Sequence, residues 1–182
     1  MNKLQRRILL TTLLLGMAAA GLHLMTLQFV DVSGHQAREP DFYIQQPDWQ
    51  LFDNNGELKH TLQAKRLEQW PGETQARLMQ PRLRLIDQQQ QVWQARAERG
   101  WIPGDQHSLV LEKHVKLQRE PVNDGPVVTT ERLRIAAKGD VIETDRPVVL
   151  TAGNWHFSAI GLRAELGRQQ LELLGKVRGI HD

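Results

Sequence analysis

Trp49-Gln50-Leu51-Phe52-Asp53-Asn54-Asn55-Gly56-Glu57-Leu58-Lys59-His60-Thr61-Leu62-Gln63-Ala64-Lys65 decides the reading of this chain. Trp49 and Leu51 alternate with Gln50. Leu58, His60, Leu62 and Ala64 then alternate with Lys59, Thr61, Gln63 and Lys65. Successive side chains of a strand point to opposite faces, so a period of two marks a strand with one dry and one wet face. Between the runs stands Asp53-Asn54-Asn55-Gly56, a turn, because Asn and Gly tolerate positive φ and Asp and Asn bond to nearby backbone N–H groups. Two strands joined by a tight turn are antiparallel neighbours.

The same unit recurs toward the C-terminus. Leu83 and Leu85 alternate with Arg82 and Arg84 after a Pro71-Gly72 turn, and Trp93, Ala95 and Ala97 alternate with Gln94, Arg96 and Glu98. Pro103-Gly104-Asp105 turns the chain into Leu109 and Leu111, which lead to Val115 and Leu117 past an expected bulge at Lys113-His114. Beyond the break at Asn123-Asp124-Gly125-Pro126 come Leu133 and Ile135, then Val148 and Leu150, then Trp155, Phe157 and Ala159, and last Leu171, Leu173, Val177 and Ile180. Many short strands with a turn every 8 to 12 residues indicate an all-β sandwich, roll or barrel. Each unit is too short to bury its own face, so the units must stack.

Working outward to the N-terminus, Ile8 to Leu27 holds no Asp, Glu, Lys or Arg, about the length of a membrane-spanning helix. Lys3, Arg6 and Arg7 precede it and no acid occurs before Asp31, so residues 1–7 are expected in the cytoplasm and the rest on the far side of the membrane. The expected division is a transmembrane helix over 8–30, a polar linker over 31–47 (DVSGHQAREPDFYIQQP) and one domain over 48–182. Ala18-Ala19-Ala20 offers a rival reading as a signal-peptide cleavage site. The apolar run continues through Val30, which favours a retained anchor. His23 lies within the run, and a neutral histidine at an interface is the plainer role for it.

Three of the 23 Lys and Arg precede residue 30, which leaves 20 against 21 acids, a balance of −1 beyond the anchor. A nucleic-acid partner needs a basic excess, and none is present. The absence of cysteine removes disulfides, thiolate metal sites, thiol nucleophiles and lipid attachment through an N-terminal Cys. None of the seven histidines forms an HxH or HxxxH pair, and no nucleotide-loop, HExxH or GxSxG motif occurs. The reading is therefore non-catalytic, with no metal and no cofactor. A glycan hydrolase would need two placed carboxylates among Asp53, Asp140, Glu143 and Asp145. Asp145 in Thr-Asp-Arg-Pro reads better as a turn cap. The dry face admits two readings: a close-packed core, or an open groove for apolar chains.

The order and spacing of several segments resemble the LptC family of lipopolysaccharide-export proteins. They are Leu51 to Leu58, Leu62-Gln63-Ala64, Gln80-Pro81, Val92-Trp93-Gln94-Ala95, Leu109 to Val115, Thr129-Thr130, Thr144-Asp145, Gly161-Leu162 and Leu173 to Gly179. The resemblance implies a twisted, slightly open antiparallel β-jelly roll behind the anchor, lipid A acyl chains inside, and a place in the inner membrane with the domain in the periplasm. It implies partners as well: the ABC transporter through its membrane subunits LptF and LptG, and the bridge protein LptA. Alternation then assigns the groove to Trp49, Leu51, Leu62, Met79, Leu83, Leu85, Trp93, Leu109, Leu111, Leu133, Ile135, Val148, Leu150 and Phe157. The transporter edge is expected at Trp49, Gln50, Leu51 and Phe52, and the bridge-protein edge at Leu171, Leu173, Leu174 and Val177. The alternative in the same compartment is a closed sandwich that scaffolds a complex and binds no lipid.

Overall fold

The computed structural model describes residues 39–121, 125–136 and 138–181. The expected anchor over 8–30 and residues 31–38 of the expected linker lie outside the described residues. The chain divides into two units, Met1–Glu39 and Pro40–Asp182, and every strand among the described residues lies in the second. No helix among the described residues is long and apolar enough to cross a membrane.

The second unit is all-β: one open antiparallel sheet. Its strands are β1 Phe42–Gln45, β2 Asp48–Phe52, β3 Leu58–Gln63, β4 Arg66–Gln69, β5 Ala76–Met79, β6 Arg82–Ile86, β7 Val92–Arg96 and β8 Arg99–Ile102. Longer strands follow: β9 Ser108–Arg119, β10 Val127–Ala136, β11 Val141–Ala152, β12 Trp155–Glu165 and β13 Gln170–His181. One turn of 3-10 helix, Leu166–Arg168, precedes the last.

The pairing is a meander of bent strands. β1 pairs β4 while β2 pairs β3, so the run 42–52 lies beside the run 58–69. The run 76–86 comes next through β4–β5 and β3–β6, and 92–102 through β5–β8 and β6–β7. β8 then pairs residues 110–112 of β9 and β7 pairs residues 116–119. β10 to β13 follow in chain order.

Every run is kinked near its middle, and the kinks form a seam across the sheet. Gln46, Gln80, Lys113, His114 and Lys176 take φ of 51°, 50°, 65°, 51° and 49°. A left-handed conformation costs a non-glycine residue roughly 1–2 kcal/mol, so the bend is held by what both limbs bury. β9 carries Lys113 and His114 where β10 has only Glu131, which places the bulge where the sequence predicts it. β11 has an extra residue at Asp145-Arg146 and β13 at Lys176-Val177. Pro47, Pro81 and Pro147 sit at kinks, where a strand needs no ladder N–H. Gly161, at φ 84°, supplies the bend in β12 with Leu174 3.1 Å from where a Cβ would lie. The ladder crosses the seam unbroken, through Gln80 N–H to Glu98 O at 2.8 Å and Glu98 N–H to Lys113 O at 3.1 Å.

The seam folds the sheet into two layers over a single core. Leu67, Leu78, Leu111, Leu133, Ile142 and Leu162 come from the limbs on one side of it. Leu83, Leu85, Ala95, Leu117, Val128 and Val148 come from the other, and all belong to one buried cluster. Two aspartates shape turns at the margin. Asp53 Oδ1 accepts from the N–H groups of Asn55 and Glu57, and Asp87 Oδ1 from those of Gln89 and Gln91.

The linker expected over 31–47 needs a correction. Phe42–Gln45 form β1, paired to β4 from Phe42↔Gln69 to Gln45↔Arg66. Pro40 and Pro47 bracket the strand, so it reads as loop by composition, but Phe42 and Ile44 carry the period of two.

Candidate apolar cleft and free edges

The first limbs of the two layers leave a cleft between them. One part, about 260 Å³, is lined by Trp49, Leu51, His60, Leu62, Leu83 and Leu85 from one layer, and by Ile102, Leu109 and Ile135 from the other. A wider part, about 530 Å³, opens beside Phe42, Ile44, Leu67 and Ala76. Trp49, Ile102 and Gln106 line both parts, which therefore adjoin. The lips of the cleft are β1 and β2. They expose Phe42, Tyr43, Ile44, Trp49, Leu51 and Phe52 by 38 to 53%.

Away from the lips the space closes. Leu111 and Leu133 are fully buried, and Val148 and Leu150 are buried beside them. These four residues belong to the packed centre and line neither part of the cleft. Trp93 and Phe157 are half-buried against the core, Trp93 with its Nε1 3.3 Å from Asp87 Oδ2 and Phe157 stacked on Trp155 at 5.7 Å.

Met79 departs from expectation. It is 44% exposed and pairs Arg66 and Arg99 on the outer face, while Leu78 points inward at 2%. Counting backward in twos from Leu85 and Leu83 reaches Met79, but Gln80 at the seam shifts the parity by one. Phe42, Ile44, Leu67, Leu78 and Ile102 were missed for related reasons: each lies in a short limb beyond a kink or a proline.

A polar clasp closes one wall. His60 Nε2 lies 2.8 Å from the Lys138 carbonyl, so this nitrogen carries the proton and donates. Gly139, at φ 69°, roofs the ring, and a Cβ there would lie 2.4 Å from His60 Cε1. Near the lip, the Glu57 N–H foremost holds the Asp53 carboxyl below the usual carboxylate range; burial, the next-largest effect, opposes it, and the Asn55 N–H and the Lys59 ammonium add to the lowering.

Both ends of the sheet are open. β1 and β2 each have one neighbour at one end, and β13 has one at the other. Gln50 shares the β2 lip with Trp49, Leu51 and Phe52. On β13, Leu171, Leu174 and Val177 are exposed by 38, 56 and 50%, and Leu173 packs on the core. Unpaired edge strands invite pairing with another chain. No group of His, Asp and Glu among the described residues is arranged to hold a metal ion.

The model of the LptC-related lipopolysaccharide-assembly family matches residues 11–182, nearly the whole chain. This chain belongs to that family. Among curated proteins none matches it. Membership in the LptC-related family makes the chain a component of lipopolysaccharide transport at the inner membrane. The bent sheet with its two free edges is the form that an LptC-related sequence takes here.

Proposed function

We propose that the chain is the single-span, non-catalytic subunit that accepts lipopolysaccharide from the inner-membrane ABC transporter and passes it to the periplasmic bridge protein LptA. Residues 8–30 span the membrane with the N-terminus in the cytoplasm, and the domain beyond is periplasmic. The folded sheet is the slightly open β-jelly roll of this system. β1 and β2 dock on the domains of LptF and LptG, and β13 docks on LptA by strand addition. Acyl chains enter between the lips.

The observation that carries this reading is the apolar cleft, in two adjoining parts, that opens beside the edge strands β1 and β2. Each CH₂ kept from water is worth roughly 0.8 kcal/mol, so a chain of CH₂ groups seats there without a specific polar contact. The sealed centre at Leu111 and Leu133 means that passage toward β13 requires the layers to part. Val177→Pro should abolish capture of LptA by the full chain while leaving the transporter bound, since proline removes a ladder N–H and constrains the strand. Loss of both partners together would count against separate edges.

A further inference from the structure

The two free edges carry charge of opposite sign, part of it without an ion pair among the described residues. From residue 39 to residue 58 every charged residue is an acid: Glu39, Asp41, Asp48, Asp53 and Glu57. Lys59 lies 3.4 Å from Asp53 and 3.6 Å from Glu57. Asp48 accepts only the Gln63 amide, and neither it nor Asp41 has an ion pair among the described residues. On β13 the picture reverses. Lys176 and Arg178 are exposed and have no ion pair among the described residues, against one acid, Glu172. Charges on edge strands often serve to prevent pairing. Lys176 and Arg178 share one sign, so they repel a basic strand and favour an acidic one.

β13 also imposes a shape. Its limbs, residues 170–175 and 177–181, meet at Lys176 with φ 49°. A strand that adds to both limbs must bend at the same level, because ladder bonds form only where the backbones stay alongside.

We propose that β13 docks a bent, acidic edge strand of a partner protein, with carboxylates facing Lys176 and Arg178 and a kink matched to Lys176. This rests on the reading of β13 as a partner edge and adds the chemistry of what it selects. Complementary charge supplies register and rate of encounter more than affinity.

The test uses the full chain in lipid nanodiscs and a fluorescent peptide with the sequence of residues 39–52, which has two limbs, a kink at Gln46-Pro47 and acids. Binding is expected to weaken about tenfold in K176E/R178E and with salt raised from about 50 to about 500 mM. A peptide with its acids replaced by amides, and one lacking Gln46 and Pro47, should bind as weakly. Equal binding by either altered peptide, or by K176E/R178E, overturns the inference. V177P separates the two levels. If it abolishes binding while charge reversal does nothing, the edge stands and the charge chemistry falls. If V177P leaves binding intact, the edge reading itself falls. Dimers of the full chain that dissolve in K176E/R178E would make the occupant a second copy and overturn the partner proposal. K176Q/R178Q, with unchanged thermal unfolding, guards against a folding defect.

Discussion

The lips and the centre of this sheet are built from the same alternation and differ in fate. Trp49 and Leu51 alternate in β2 as Leu109 and Leu111 do in β9, yet Leu51 is 52% exposed and Leu111 is fully buried. The difference lies in neighbours. β9 has strands on both sides and a second layer across from it, while β2 pairs β3 alone. Period two therefore settles which face is dry, and position in the meander settles whether that face is core or cleft.

Substitution at the centre should break this contrast most severely. Leu133→Ala is expected to cost about 2–5 kcal/mol, seen as a lower urea midpoint. Leu133→Arg should leave no cooperative transition. At the clasp, Gly139→Val would clash with His60 and require a left-handed β-branched residue, so a loss of about 1–3 kcal/mol is expected, together with altered hydrogen exchange at Lys138. In the cleft, Leu62→Asp should leave the folded state intact by circular dichroism and abolish lipid adducts, whereas Met79→Lys should change neither.

The smallest effect concerns acid. The folded-state pKa of Asp53 is lowered, so its contribution is present at neutral pH and is lost as pH falls through the folded value. Asp53→Asn should flatten that part of the acid stability profile. An unchanged profile would show that the Glu57 and Asn55 N–H groups do not favour the charged carboxylate.

Much of this was legible in the sequence. Asp53-Asn54-Asn55-Gly56 turns as expected, and the Lys113-His114 bulge and the inward faces of β6, β9 and β10 lie where alternation puts them. The seam was not legible. A single left-handed residue such as Gln46 or Gln80 has no side-chain signature, although Pro47 and Pro81 stand beside them. Without the seam, parity runs straight through Gln80 and sets Met79 on the inner face, where the structure has Leu78. β1 was hidden between prolines, and with it half of the mouth.

The most direct test places a photo-reactive residue at Leu62, at Leu133 or at Met79 in the full chain and adds lipopolysaccharide under illumination. Adducts at Leu62, and none at Met79 or at Leu133 while the layers stay closed, are the expected result. Adducts at Met79 with none at Leu62 would place the lipid on the outer face and contradict the cleft.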